Sequence, residues 1–418
     1  MKQNLVISCP ASSRSGYGDH SRDIIRSLIA MDKFNVSVMD QRWGNCPRTG
    51  LLTDDQITPL LLPPGPLKGQ PDIWIQVTVP NEFQPIGKFN IGITAGIETD
   101  RVAPEWIDGI NRMDMNIVPS HHSKLVFEQT HYDKKNQAGE VVGKLKMEKP
   151  MHVVFEGLDV DIFDKSDDAS FNGIDHIPEA FCFLVVGHWL SGDATHDRKD
   201  LSGTIQTFIH TFKGRDVKPA MVLKTSTATL SVTDREQILQ RVRSIQAQSG
   251  IPLDNQPNIY LLHGDLTAEE MNGLYNHKKI KAMVSLTHGE GFGRPLLEFS
   301  VTGKPTVATD WSGHVDFLGN YTFKVPGKLQ SVHPSALMKG AIVEGSQWFY
   351  ADYGYASKLL KNIYKQYKTQ LSISRKQRKF VKDNFSLTDM TVELTRLMSD
   401  NIPESVKLKL PKLEKVHE

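Results

Sequence analysis

Residues 285–298, which read SLTHGEGFGRPLLE, hold the residue types best placed to do chemistry in this sequence. Glu290 lies in a glycine-rich stretch, and Glu298 follows it after seven intervening residues. Pro295 is typical of the first turn of a helix, so we expect a strand, a glycine turn and then a helix. The free N–H groups at the start of a helix attract anions. The pattern therefore predicts an anion site with two carboxylates beside it.

The ligand of such a site would carry both phosphates and hydroxyls, as a nucleotide sugar does. Gly291 and Gly293 would let the backbone come close to a bulky group. The alternative interpretation is a plain glycine turn before a helix, with two carboxylates on the surface. The full pattern of Glu-Gly-Phe-Gly followed by a second glutamate favours the binding site over that alternative.

A first series of strands and helices would make up the N-terminal half. Residues 4–9 form a short β-branched run, which is followed by a polar loop containing Gly16 and Gly18 and by a helix at 20–31. Further strands are predicted at 35–39, 73–77, 89–94, 115–118 and 151–155. Because these strands are separated by helical stretches, we expect a mainly parallel sheet.

A second series starts at residues 181–187, after a polar stretch at 159–178 that we interpret as a linker. Its other strands are predicted at 220–225, 258–263, 281–286 and 306–309, with helices at 203–212, 235–249, 268–276 and 295–301. The chain is then helical and basic as far as residue 384, and Ser386 is the expected N-cap of a last helix at 386–399.

The predicted organisation is an α/β protein with two doubly wound domains that face a central cleft. Ligands of such sheets bind at the carboxyl ends of the strands. The predicted divisions are a first domain at 1–160, a linker at 161–178, a second domain at 179–384, and a helix and tail at 385–418. We expect this last segment to cross back to the first domain, with a loosely ordered Lys-rich tail from residue 403.

Composition excludes several classes of protein. The 418 residues include 49 Lys and Arg against 48 Asp and Glu, so no overall charge attracts a polyanion. Three scattered cysteines favour a reducing cytoplasm over a disulfide framework or zinc cluster. No apolar run is long enough for a membrane span, and residues 5–10 favour a strand over a signal peptide. The first glycine loop lacks G-x-G-x-x-G, and no Walker A pattern occurs, which argues against a dehydrogenase and an NTPase.

The stretch from Glu290 to Glu298, which begins with Glu-Gly-Phe-Gly, resembles the E-x7-E signature of retaining glycosyltransferases of family 4, the glycogen-synthase-like group. Similar elements are found at 118–120, 155–159, 303–309 and 313–318. The resemblance covers most of the chain and is strongest over residues 281–318. It implies the GT-B fold, in which two Rossmann-like domains face a cleft, the first on the acceptor side and the second binding the nucleotide sugar.

The resemblance also implies roles for individual residues. Glu290 would contact the hydroxyls of the donor sugar as a catalytic residue, and Glu298 would hold the ribose of the nucleotide. Gly291, Phe292 and Gly293 would belong to the same donor-binding turn.

Cations would neutralise the diphosphate as it leaves, and fixed positive charges there lower the barrier directly. The matching positions are Arg198 and Lys199, after the first strand of the second domain, and Lys224, at the end of the next strand. Arg198 and Lys224 are the first choices as catalytic residues, and Lys199 is assigned to donor binding. The alternative is that all three are solvated side chains at strand ends.

Three further positions follow from the resemblance on the donor side. Gly16 and Gly18 match a glycine loop that approaches the diphosphate and sugar, and His263 ends a strand where the family lodges the nucleobase. An ordinary turn explains each of these residues as well.

The acceptor side departs from the family. Many relatives carry a histidine near the reacting sugar, whereas residues 93–100 contain none. Glu98 and Asp100 are therefore the acceptor-side candidates, unless they cap the following segment. No Asp-x-Asp metal site occurs, and we expect no metal and no cofactor besides the nucleotide-sugar co-substrate.

Three functional hypotheses follow. The first is transfer of a hexose or pentose from a nucleoside-diphosphate sugar to a glycan or cell-envelope acceptor. The second is a glycosyltransferase of viral type that modifies a hydroxymethylated DNA base in the host cytoplasm; lysines at 134–149 and the basic run at 360–383 would bind the DNA. The third is a catalytically silent module that binds a nucleotide sugar. The sequence leaves the donor, the acceptor and the oligomeric state open.

Overall fold

The computed structural model describes residues 2–167, 170–190, 196–214, 216, 218–227 and 230–403. Two six-stranded sheets with flanking helices dominate this part of the chain. The tail after residue 403, for which we expected loose order, lies outside the described residues.

The first sheet is built from the N-terminal part of the chain. The elements of this part are β1 Gln3–Cys9, α1 Gly16–Met31, β2 Phe34–Asp40, β3 Ile73–Val77, β4 Phe89–Ile93, α2 Pro104–Asn111, β5 Met115–Val118, α3 His121–Gln129, β6 Tyr132–Lys135, β7 Val141–Leu145 and β8 Met151–Val153. Strands β6 and β7 form a small antiparallel hairpin apart from the sheet. The strand order is β2-β1-β3-β4-β5-β8, and the neighbouring strands are parallel. The predicted parallel sheet is thus confirmed.

The second sheet repeats this plan. Its elements are β9 Cys182–Val186, α4 Leu201–Phe212, β10 Ala220–Lys224, α5 Val232–Gln248, β11 Ile259–Leu262, α6 Ala268–Asn276, β12 Ile280–Ser285, α7 Arg294–Ser300, β13 Thr306–Thr309, α8 Val315–Leu318 and β14 Phe323–Val325. The parallel order β11-β10-β9-β12-β13-β14 places β9 and β12 side by side at the centre. β9 is a continuous apolar run and β12 is mostly apolar, as expected of central strands that are covered on both faces.

An antiparallel hairpin follows the second sheet. It consists of β15 Gly327–Ser331 and β16 Gln347–Ala351, and we call residues 327–351 the arm. The arm reaches the first domain, where Ala341 and Val343 pack against the buried core. The sequence did not predict the arm, because its first strand is exposed along its whole length and shows no apolar periodicity.

Three helices complete the chain: α9 Tyr353–Lys365, α10 Tyr367–Asn384 and α11 Leu387–Asn401. Ser386 caps α11 as predicted, in a capping box with Asp389. The apolar face of α11 packs on α1 and joins the core of the first domain through Met390, Leu394 and Leu397. Helix α11 therefore ties the second domain to the first.

The stretch expected to be a linker contributes to packing. Phe163, Ile174 and Ile177 are buried in the core of the second domain, and residues Asn172–Ile174 form a short 3-10 turn. Cys9, Cys46 and Cys182 are free thiols. Among the helices described, none has the length and apolar character needed to cross a membrane.

Candidate active site

The turn between β12 and α7 lies against the loop after β4, across the cleft between the domains. A Cβ atom on Gly291 would lie 2.1 Å from the carbonyl oxygen of Ala95, and one on Gly96 would lie 2.8 Å from the Cα of Gly291. Contacts this short leave room only for glycine. We expected Gly291 to make room for a ligand; in this structure its missing side chain lets the two backbones meet.

Two cations and two carboxylates converge beside this contact. Lys199, in the loop between β9 and α4, forms an ion pair with Glu290, and Arg198 forms one with Glu98 from the first domain. The side chain of Lys199 passes the end of β9, since a Cβ atom built on Gly187 would lie 3.5 Å from Cγ of Lys199. The structure thus brings the predicted residues Glu290, Arg198 and Lys199 together and adds Glu98 to the same group.

The charges in this group perturb one another. Burial raises the pKa of Glu290, but Lys199 and Arg198 outweigh burial, so that its pKa lies below the ordinary value. Burial also lowers the pKa of Lys199 and raises that of Glu98, the latter against the attraction of Arg198. Glu290 is thus held as a carboxylate that a neighbouring ammonium orients, which suits contact with sugar hydroxyls.

Lys224 lies at the end of β10 in a different environment. Its Nζ donates to the carbonyl oxygen of Gly264, at 2.7 Å, and burial lowers its pKa. Nearby, Arg14 of the first domain pairs with Asp265 at 2.9 Å. The side chain of Lys224 is therefore directed to the loop after β11, and it is Lys199 that contacts Glu290 directly.

His263 ends β11 and is held by a buried carboxylate. Its Nε2 lies 2.7 Å from Oδ2 of Asp234, in the first turn of α5. The side chain of His263 is therefore held by a contact within the protein.

Glu298 is buried in the second turn of α7, with both carboxylate oxygens engaged. The hydroxyl of Tyr275 donates to one oxygen at 3.0 Å, and Nε of Arg294 donates to the other at 3.1 Å. Burial raises the pKa of Glu298 to about 7. A ribose hydroxyl at this position would compete with the two protein donors.

Arg294 joins the two domains, and sequence reasoning missed it although it lies inside the E-x7-E stretch. Its guanidinium contacts Asp23 of α1 at 2.6 Å and Glu156, after β8, at 3.7 Å. Burial raises the pKa of Glu156 to about 8, against the attraction of Arg294. The long basic side chain between the two glutamates was the available signal; its partners on α1 and after β8 are distant in sequence.

The glycine loop near the N-terminus is the first turn of α1. We expected the helix to begin at residue 20, but Ser15 caps it and accepts a hydrogen bond from the N–H of Gly18 at 3.2 Å, so that α1 begins at Gly16. A Cβ on Gly18 would collide with the carbonyl oxygen of Ser13 at 2.1 Å, whereas one on Gly16 would meet no atom within 4 Å. Gly18 is required for packing, and Gly16 borders open space.

Three other residues predicted for the site make contacts within the protein itself. Phe292 is 3% exposed and packs on Phe317 in the core of the second domain. Gly293 caps α7 with a φ of 97°, a conformation that favours glycine. Asp100 accepts a hydrogen bond from the N–H of Gln347 at 2.6 Å and so holds the arm. These contacts account for each residue without a ligand.

Within the described residues, no group of three or more His, Cys, Asp or Glu side chains is arranged to hold a metal ion.

Comparisons with known proteins identify the fold. No protein-family profile matches the sequence, and no curated protein matches it. Solved structures do match. Sucrose-phosphate synthase from Thermosynechococcus elongatus superimposes with a TM-score of 0.64 at 12% identity, over 96% of this chain and 99% of that one.

Two further structures give the same result. HepE from Anabaena, in complex with UDP and glucose, has a TM-score of 0.61 at 13% identity, over 95% of this chain and 100% of that one. A glycosyltransferase from Rickettsia africae has a TM-score of 0.61 at 15% identity, over 97% of this chain and 100% of that one. The chain has the GT-B fold that glycosyltransferases use, as the sequence predicts.

Proposed function

We propose that this protein is a retaining glycosyltransferase that moves a sugar from a nucleoside-diphosphate sugar to an acceptor hydroxyl. One observation carries the proposal: Glu290, Lys199 and Arg198 converge at the carboxyl ends of β9 and β12, which face the first domain. This is the edge at which ligands of doubly wound sheets bind.

The donor would lie along this edge. We assign the nucleobase to the loop after β11, near His263, and the ribose to Glu298. The diphosphate would lie between Lys199, Arg198 and the first turn of α1 at Gly16, where free N–H groups favour an anion. Lys224 and Arg14 also lie near this path, at the loop after β11. The similarity to HepE, whose structure contains UDP and glucose, supports a uridine diphosphate sugar as the donor.

In the reaction, the bond between the anomeric carbon and the diphosphate oxygen breaks, and the electron pair goes to the diphosphate. The acceptor oxygen forms a new bond to the same face of that carbon, and its proton passes to the released diphosphate. Lys199 and Arg198 stabilise the negative charge that builds up on the leaving group. Glu290 orients the sugar hydroxyls, so that the reacting atoms are held in position.

We infer a glycan or cell-envelope acceptor as the first candidate. A hydroxymethylated base in DNA is the second, and the hairpin of β6 and β7 favours it: Lys134, Lys135 and Lys144 are exposed on this two-stranded ribbon. Exposed lysines on a ribbon suit contact with phosphates. A base in a duplex would have to flip out to reach the cleft.

A panel of nucleotide sugars, scored for thermal stabilisation of the protein, would identify the donor. Candidate acceptors, including glycans and DNA containing 5-hydroxymethylcytosine, would then be incubated with that donor and analysed by mass spectrometry. We expect a mass increment of one hexose or pentose on one acceptor. Stabilisation by a donor without transfer or donor hydrolysis would instead support the silent binding module, and no stabilisation by any donor would contradict the proposal.

A further inference from the structure

We propose that Glu98 changes partners during the reaction. In the free protein it holds Arg198; when the donor diphosphate takes that guanidinium, Glu98 is released and positions the acceptor hydroxyl by accepting a hydrogen bond from it, until the hydroxyl turns and its proton passes to the departing diphosphate. The donor then has to bind before the acceptor. This inference rests on the proposed function and concerns the order of events at the same site.

The guanidinium of Arg198 extends from a fixed backbone. The backbone carbonyl oxygen of Arg198 accepts hydrogen bonds from the N–H of His288 at 3.1 Å and from Oγ1 of Thr287 at 3.2 Å. The loop that carries Arg198 is therefore bound to the end of β12, close to Glu290. A diphosphate at this point would meet a cation that is already in place and already paired with Glu98.

The charges show why one pair has to open. Arg198 and Lys199 balance Glu98 and Glu290, so the group is neutral before a ligand arrives. A diphosphate brings further negative charge, and a buried excess of negative charge is costly. The diphosphate therefore has to replace one of the two carboxylates as the partner of a cation.

Burial indicates which pair opens. The side chains of Lys199 and Glu290 are 14% and 10% exposed, whereas those of Arg198 and Glu98 are 26% and 32% exposed. Separating the more exposed pair costs less, because water can solvate the freed carboxylate. The pair of Arg198 and Glu98 is thus the one that a donor displaces.

The backbone around Glu98 keeps the released carboxylate within the cleft. A Cβ on Gly289 would lie 2.1 Å from the carbonyl oxygen of Glu98, so the backbones of the two domains touch at this residue. Only the side chain is free to turn. It would remain beside Glu290, on the side of the first domain, where an acceptor hydroxyl has to approach the donor sugar.

Asp100, the other acceptor-side candidate, has a different task. Its carboxylate accepts from the N–H of Gln347, and its own N–H donates to the carbonyl oxygen of Gln347 at 3.0 Å. Both contacts hold the arm. Glu98 is therefore the carboxylate near the reacting group that a bound donor could release.

The test compares wild-type protein with Glu98→Gln, using uridine diphosphate as the probe in isothermal titration calorimetry. Since the variant lacks the carboxylate that competes for Arg198, we expect it to bind uridine diphosphate about three- to tenfold more tightly. With the donor and acceptor found above, its turnover should fall at least tenfold and its KM for the acceptor should rise. Glu128→Gln removes the same charge from the exposed face of α3 and should match the wild type in affinity.

Tighter binding together with slower transfer would support the exchange, because a merely structural role for Glu98 gives no gain in affinity. Equal or weaker binding by Glu98→Gln, with an unchanged melting temperature, would overturn it. If instead the wild type binds no nucleoside diphosphate or nucleotide sugar at all, the proposed function fails, and that outcome is distinct from failure of the exchange.

Discussion

At the scale of single residues, the structure distinguishes the three predicted cations by the groups that they contact. The sequence favoured Arg198 and Lys224 as catalytic residues and gave Lys199 to donor binding. The ion pair with Glu290 belongs to Lys199, whereas Lys224 donates to the carbonyl oxygen of Gly264. The position after the first strand of the second domain was predictable; the direction in which each long side chain turns depends on tertiary contacts.

Replacing Lys199 by Met should therefore be more damaging than replacing Lys224 by Met. Without Lys199, Glu290 is left as a buried carboxylate without its main partner, which lowers the free energy of unfolding by about 3–5 kcal/mol. We expect turnover to fall about 100-fold or more in Lys199→Met. In Lys224→Met we expect turnover to fall less than about tenfold, and the main effect to be a higher KM for the donor. Steady-state kinetics of both variants would check this, and a lower turnover in Lys224→Met than in Lys199→Met would contradict it.

The site could be predicted from sequence only where the motif is local. Glu290 and Glu298 lie on one short segment, so their spacing was visible. Arg294 lies between them, but its contacts with Asp23 and Glu156 join positions more than a hundred residues apart. Long-range ion pairs of this kind have no signal in a single sequence.

At the scale of elements, most strands of the two sheets were predictable because they are short runs rich in apolar residues, whereas β14, three residues long, was not predicted. The start of α1 was misplaced by four residues, since two glycines in its first turn resemble a loop, whereas the cap at Ser15 determines the start. The arm was missed altogether, although Trp348 on β16 is buried and stacks on His288. Hydrophobic periodicity indicates an element only when one of its faces is buried along its length.

The turn between β12 and α7 provides a prediction at this scale. In Gly291→Ala, the added methyl group would lie 2.1 Å from the carbonyl oxygen of Ala95, so the two domains would have to move apart. We expect at least a tenfold loss of turnover with little change in melting temperature. Gly69→Ala is the control, because a Cβ there meets no atom within 4 Å. Full activity of Gly291→Ala would show that the contact between the domains is not needed for transfer.

At the scale of the whole molecule, buried charges join the two domains although the net charge is only +1. Arg294 of the second domain lies among acidic side chains of both domains, including Asp23 and Glu156. Composition ruled out a strong overall field but gave no indication of this cluster. The docking of α11 on α1 adds an apolar connection between the same two domains.

The cluster makes stability depend on pH. The pKa of Glu156 is raised from an ordinary value of 4.5 to about 8, so the folded state binds more protons than the unfolded state between these values. Stability is therefore highest below about pH 4.5 for this group and is lost as the pH rises toward 8. Glu298 acts in the same direction up to about pH 7.

In Glu156→Gln, the neutral amide replaces a group that the fold keeps neutral below pH 8. We expect the melting temperature of the variant to fall less than that of the wild type between pH 6 and pH 9. Thermal unfolding across that range, with Glu128→Gln as an exposed control, measures the difference. A fall as steep as that of the wild type would show that Glu156 does not titrate as the structure indicates.

The most direct test of the account measures nucleoside diphosphate released from the donor by the wild type and by Glu290→Gln. The donor is the nucleotide sugar that stabilises the wild type in the panel. The amide oxygen of the variant can still accept a hydrogen bond from Lys199, so the variant should stay folded, with a lower melting temperature than the wild type, and still bind the donor. Its release of nucleoside diphosphate should fall at least 100-fold. Release at the wild-type rate from the folded variant would contradict the assignment of this cleft as the active site.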